Sequence, residues 1–212
     1  GAVYEIQPGD IGCFLKATAR GTGGYADVQG SKTIGPVGFA GGSGGESDPY
    51  LIADWYHLDN MRYRLDACFK LTGDLDDDST GYSDVVCDSE SDQGSWEPVG
   101  YYSDSVPEIM SFTLNETLYA ETDTMFLGTF DGNGKSIGNL RVVREEPEVT
   151  QLRFGPPPAE ACGLFGALYE AEVKNLTLTD AYVYGQDYTG LLAGYSIGSK
   201  ISGIVTNQSV VP

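Results

Sequence analysis

The sequence predicts an all-β solenoid, a parallel β-helix with a short N-terminal capping helix and an additional N-terminal β segment. Three observations predict it. The first is self-similarity: Ile137-Gly138-Asn139-Leu140-Arg141-Val142 resembles Val173-Lys174-Asn175-Leu176-Thr177-Leu178, and both resemble Ile201-Ser202-Gly203-Ile204-Val205-Thr206, at spacings of 36 and 28 residues. The second is a glycine landmark, Gly163-Leu164-Phe165-Gly166, which returns 27 residues later as Gly190-Leu191-Leu192-Ala193-Gly194. The third is composition: 29 Gly and 14 Tyr against three Met favour turns and strands over long helices. A fixed period of this size marks repeating units that cannot bury their own apolar face and must stack. Stacking would pile Ile137, Val173 and Ile201 in one column and Leu140, Leu176 and Ile204 in the next. The units alternate β-branched residues and lack a long helical stripe, which selects β coils over helical repeats.

Taken in order, residues 1–41 form the N-terminal β segment. Val3, Tyr4, Ile6, Ile11, Phe14 and Leu15 lie around a Pro8-Gly9-Asp10 turn and read as two short strands. The segment is either a cap or a strand for donation to a neighbour. Gly41-Gly42-Ser43-Gly44-Gly45 is the boundary, and residues 42–212 are the β-helix. Leu51, Trp55, Leu58, Met61 and Leu65 give residues 50–65 a helical stripe, the capping helix. A strand at Cys68-Phe69-Lys70-Leu71-Thr72 follows. Irregular insertions interrupt the pattern at 76–95, 101–125 and 143–160, and the last explains the longer first spacing.

The chain has 212 residues, 41% of them hydrophobic, enough for one substantial core. Its 31 acidic and 12 basic residues give a net charge of −19. Such a surface repels phosphate backbones and excludes nucleic acid as a partner, while suiting a salty or calcium-rich exterior. No apolar run reaches transmembrane length. A chain that opens at Gly1 without a signal segment reads as a processed product or an excised piece. Cys13, Cys68, Cys87 and Cys162 are disulfide candidates in an exported chain, with three pairings open. Cys68 with Cys87 closes the shortest loop, leaving Cys13 with Cys162. Four buried thiols are the alternative.

The candidate sites are few. In the acidic insertion, Asp76, Asp78, Thr80 and Asp84 place oxygens at alternate positions, and Gly81 supplies a bend at the sixth place, as calcium loops require. Cys87 stands where a closing Glu belongs, and Asp88 lies one residue further on. Calcium is the only cofactor the sequence suggests, and a solvated acidic loop is the plainer reading. Asp131-Gly132-Asn133-Gly134 reads as a tight turn needing positive φ. Asn115, Asn175 and Asn207 begin glycosylation sequons, with Asn115 in the least patterned stretch. The single His, His57, lies inside the expected helix and reads as structural. No catalytic residues are expected. The outward coil positions Lys174, Thr177, Thr179, Lys200 and Ser202 form a bland face for chemistry.

The Gly163–Gly166 run resembles the signature of the GLUG-motif surface proteins. So do three other landmarks: Asp48-Pro49-Tyr50-Leu51-Ile52, Phe69-Lys70-Leu71-Thr72-Gly73-Asp74-Leu75-Asp76, and Trp96-Glu97-Pro98-Val99-Gly100 with Phe126-Leu127-Gly128-Thr129-Phe130-Asp131-Gly132-Asn133-Gly134. The resemblance covers about residues 42–206. It implies a right-handed parallel β-helix of the kind found in prokaryotic surface adhesins, filamentous exoproteins and non-catalytic parts of some secreted proteases. The insertions and residues 1–40 depart from it.

These readings lead to an extracellular, cell-surface structural protein that self-assembles head to tail into a filament. Assembly would use Val3 and Ile6 at one end and Ile201, Ile204 and Val210 at the other, because an uncapped solenoid exposes backbone edges and apolar coil surface. The alternative is an adhesin module of a longer surface protein, binding glycan or protein through its insertions and flanked by neighbouring domains. A polysaccharide-active enzyme is the remote third reading.

Overall fold

The computed structural model describes residues 4–22, 28–86, 95–100, 124–144, 161–185 and 188–207. These are mostly β with few helices. The first strands are β1 (Leu15–Arg20) and β2 (Gln29–Ile34), an antiparallel hairpin with Leu15 opposite Ile34 and Arg20 opposite Gln29. The strands expected around Pro8-Gly9-Asp10 are therefore displaced. That turn is a short 3₁₀ segment, and the pairing begins at Leu15.

Parallel pairing then takes over. β3 (Tyr50–Ile52), β4 (Cys68–Leu71), β5 (Thr129–Gly138), β8 (Glu172–Thr179) and β11 (Lys200–Ser202) lie side by side in chain order, and β12 (Val205–Asn207) also pairs with β8. A second parallel pair joins β7 (Phe165–Tyr169) to β10 (Ala193–Ile197). A third joins β6 (Arg141–Val143) to β9 (Tyr182–Tyr184). Strands thus pair in parallel with equivalents further along the chain, 28 residues on from Phe165 to Ala193 and from Glu172 to Lys200.

The register corrects the columns expected from sequence. One column runs Tyr50, Phe69, Phe130, Val173, Ile201. Ile137 is not in it. Ile137 pairs with Leu178, and Leu140 lies beside Ala181 rather than in line with Leu176. The cause is a confusion of corners. The coil turns at two successive left-handed positions, Asn133 and Asn139 in one coil, Asn175 and Asp180 in the next, all with φ between 49° and 57°. Gly203 repeats the first corner at φ 62°. Asn, Asp and Gly tolerate this region where other residues strain. Aligning Asn139 with Asn175 slips the repeat by one corner.

The core is an aromatic stack that grades into an aliphatic one. Phe39 and Tyr50 are stacked at 4.4 Å, Tyr50 meets Phe69 at 5.8 Å, and Phe126 meets Phe165 at 4.9 Å. Burying each such side chain contributes about 1.5–3 kcal/mol. Trp55 and Trp96 are fully buried, and each indole N–H finds a carbonyl, Asp76 O and Leu164 O, both at 2.9 Å.

The signature glycines are required by closeness. A Cβ on Gly166 would meet Gly100 O at 2.2 Å, and one on Gly194 would meet Tyr188 O at 2.1 Å. Gly128 is tighter still, with Ala67 O at 1.9 Å.

The helix expected over 50–65 is shorter. Tyr50–Ile52 is strand, its two end residues buried against β4. The α-helix α1 spans only Trp55–Asp59 and continues as a 3₁₀ turn, Asn60–Tyr63. Its cap is Asp54, whose carboxylate accepts the His57 N–H at 2.8 Å. A second short helix, α2 (Tyr82–Val85), lies within the acidic insertion. The insertion expected at 101–125 ends inside the core, since Met125 is buried.

Candidate functional surface

The two ends of the stack differ. At the first coil, Ile11 and Phe39 join the core and cover β3. Leu51 donates to Gly41 O at 2.9 Å and accepts from Ala40 N–H at 2.9 Å, while Tyr50 Oη donates to Gly12 O at 2.7 Å. Residues on both sides of the hairpin therefore close this end in cis.

At the last coil no later rung lies over the column among the described residues. Val173 is sealed, yet Ile201, its partner in register, is 47% exposed. Ile197 and Val205 are exposed beside it, and Ile204 is half-buried against the core. Of the expected assembly residues, Ile201 lies on β11 and Ile204 just before β12, at the last described rung. Ile6 is exposed at the other terminus, and Val3 and Val210 lie outside the described residues.

The hairpin is the surface that sequence reasoning missed. β1 and β2 form a two-stranded sheet of their own, with exposed side chains along Lys16–Arg20. Pairing sets Ala17 opposite Lys32 and Ala19 opposite Gly30 on one face, and Lys16, Thr18 and Arg20 on the other. The signal was the alternation of Lys16-Ala17-Thr18-Ala19-Arg20, weak because its small residues look neither apolar nor polar enough.

The acidic insertion is held by its carboxylates. Asp74 accepts from Ser136 N–H at 2.8 Å, and this hydrogen bond holds its carboxyl below the usual range. Asp77 accepts from Asn139 Nδ2 at 2.7 Å, and Tyr82 Oη donates to Asn139 O at 2.7 Å. Of the calcium candidates, Asp76 closes a turn by accepting from Asp78 N–H at 3.1 Å and Ser79 Oγ at 2.7 Å. Asp84 accepts the Tyr56 hydroxyl, which raises the phenol pKa. Thr80 O accepts from Trp55 N–H at 3.1 Å. Asp88 lies outside the described residues, among which no group of three acidic, His or Cys side chains could hold a metal ion.

The cysteine expectation is corrected in part. Cys13 and Cys68 carry thiols, and the Cys13–Cys162 bridge is not formed. Cys13 Sγ lies 3.1 Å from Arg64 Nη2 at the first coil, whereas Cys162 is buried where β7 and β10 begin to pair. The two sit at opposite ends of the stack. Cys87 lies outside the described residues.

Asn175 is exposed, but its amide donates to Asp131 Oδ1 at 3.1 Å and braces the corner. Asp131 also accepts Asn133 N–H at 2.8 Å, so this run is the expected turn. Asn207 is exposed at the end of β12, and Asn115 lies outside the described residues. His57 is half-buried, with Nδ1 2.8 Å from Asp54 Oδ1 but not aligned for a hydrogen bond. Burial pushes its pKa down, and the nearby Asp54 opposes this.

No family model matches the chain. In sequence it is 30% identical to Halomucin of Haloquadratum walsbyi over 178 residues, which is 80% of this chain and 2% of that protein. It is 28% identical over 173 residues to a provisionally named Gly-rich membrane protein of Evansella cellulosilytica, 81% of this chain and 15% of that protein. The chain therefore spans a small part of either relative. A provisionally named immunoglobulin A1 protease from Bacteroides ovatus overlaps 72% of this chain and 34% of its own, at 19% identity and a TM-score of 0.42. No helix among the described residues is long and apolar enough to cross a membrane.

Proposed function

We propose that this chain is an extracellular structural segment of the cell surface, a right-handed parallel β-helix of the GLUG type that assembles head to tail through its open last coil. The observation that carries the reading is the column Tyr50, Phe69, Phe130, Val173, Ile201, buried at every rung but the last. An uncovered rung with free strand edges is a template for another chain. The right-handed sense rests on the rule that parallel strands of one sheet are joined by right-handed crossovers. One closed end and one open end make the contact heterologous, which builds a directional polymer. The role is mechanical, not chemical.

The test is sedimentation and negative-stain microscopy of the 212-residue chain beside Ile201→Asp. Filaments or concentration-dependent oligomers that vanish in the variant support the reading. Monomers at every concentration in both overturn it.

A second reading is favoured by the lengths of the relatives, of which this chain spans 2% and 15%. As a module of a long surface protein, the coil stack would continue in the same polypeptide, and the insertions would bind glycan or protein. Extending the chain with its downstream residues and finding a stable monomer would favour this alternative.

A further inference from the structure

The charge of the chain is unevenly placed. It holds 31 acidic and 12 basic residues, yet positions 11–45 hold one acidic residue, Asp27, against Lys16, Arg20 and Lys32. All three basic residues lie on the β1–β2 hairpin and are exposed. In the coil region Arg62 meets Asp59, Arg144 meets Glu97 at 2.6 Å, and Lys174 meets Glu172 at 3.1 Å. Among the described residues no carboxylate forms an ion pair with Lys16, Arg20 or Lys32.

The register sorts the hairpin residues by face. Pairing sets Lys16 opposite Thr33, Thr18 opposite Ser31 and Arg20 opposite Gln29. Alternation puts these six side chains on one face, and all six are exposed. Lys16 and Arg20, four residues apart, stand about 14 Å from each other along β1. Hydroxyls and an amide fill the space between and beside them. Lys32 lies on the other face, opposite Ala17.

We propose that the Lys16–Arg20 face of the hairpin is a docking surface for a linear acidic polysaccharide. Its cations would take carboxylates or sulfates, and its hydroxyls and amide would take sugar hydroxyls. Charge complementarity identifies the occupant, since unneutralised cations on an acidic protein select an anion. Salt screens charges beyond about 8 Å, so the face acts through its own residues, and none of the six is acidic. Two cations about 14 Å apart suit a polymer with one charge per sugar or two. Duplex nucleic acid presents one charge per about 1.7 Å and calls for a denser array. None of the six is aromatic, so the face lacks the stacking platform that single-stranded nucleic acid uses. None is a large apolar side chain, so it also lacks the anchor that a protein partner or a lipid surface needs. Sugar hydroxyls, donors and acceptors at once, match Thr18, Ser31, Thr33 and Gln29. The inference uses neither the last coil nor a second copy, so it stands or falls apart from the head-to-tail reading.

The test measures binding of the 212-residue chain to immobilised polygalacturonate and to immobilised dextran sulfate in about 0.15 M salt. Neutral dextran, polyglutamate and oligothymidylate are run alongside. The wild type should bind at least one of the two acidic polysaccharides, release it as salt rises, and ignore dextran. Lys16→Gln with Arg20→Gln should weaken binding about tenfold or more, and Lys32→Gln should change it by less than about twofold. Lys16→Arg with Arg20→Lys should keep it, which separates a lost charge from a lost hairpin. Circular dichroism and melting check that each variant folds. No binding to either acidic polysaccharide overturns the proposal. So does an equal loss in Lys32→Gln, which would mean charge without a face. Binding to polyglutamate or oligothymidylate as tight as to the polysaccharides would show a general anion surface and overturn the glycan assignment.

Discussion

Ile201 lies in register with Val173, one coil above it, yet Val173 is sealed and Ile201 is half exposed. The same column position is thus core in one coil and surface in the next. Residue type does not separate them, since both are β-branched aliphatics.

The column should therefore respond unequally to truncation. Phe130→Ala, at a fully buried rung, should cost about 3–5 kcal/mol in urea unfolding. Ile201→Ala should cost under about 0.5 kcal/mol in the monomer. Equal losses would show that the last rung is covered in the monomer too.

The close-approach glycines make a second set. Gly128→Ala and Gly166→Ala place a methyl 1.9 Å and 2.2 Å from backbone oxygens, so each should lose at least about 1–3 kcal/mol. Gly45→Ala and Gly73→Ala, with nothing within 4 Å, should melt within a degree or two of the wild type. The comparison is a thermal melt of four single variants.

The corner at Asn175 predicts a preference order. Its φ of 54° costs an ordinary L-residue about 1–2 kcal/mol, so Asn175→Ala should be destabilising by that amount and the lost brace to Asp131. Asn175→Gly should lose less, because Gly203 already serves at the equivalent corner of the last coil. An Ala variant as stable as Gly would mean the corner is not a left-handed position.

His57 predicts an acid response. Burial lowers its pKa below the ordinary 6.5, so the folded chain holds fewer protons there than the unfolded chain. Its contribution is complete above pH 6.5 and is lost as pH falls from there through the folded value. The melting temperature should decline over that window, and His57→Gln should flatten the decline. Asp74, whose carboxyl is lowered by the Ser136 hydrogen bond, loses its contribution further down, below the ordinary 3.8.

Much of this was legible in the sequence. The stacked β units were visible because Gly163, Gly166, Gly190 and Gly194 sit where backbones touch, and such positions leave a mark that few side chains can replace. The register was not, because Asn139 and Asn175 look alike while serving different corners. Tyr50–Ile52 was hidden by Trp55, Leu58 and Met61, whose helical spacing extends backward over a strand of three residues. The β1–β2 hairpin was not legible, because strands whose described side chains are nearly all exposed need no apolar alternation.

The parallel sheet has a direction in how it comes apart, because among the described residues Phe39 covers Tyr50 at the β3 edge while Ile201 at the β11 edge is exposed. Opening starts where a rung has a neighbour on one side only, at β11 and β12, and must pass β8 before it reaches the aromatic rungs of β5, β4 and β3. Tension applied to the C-terminal side would part the strands in order, the first step freeing the 28 residues from Glu172 to Lys200 and the next the 43 from Thr129 to Glu172.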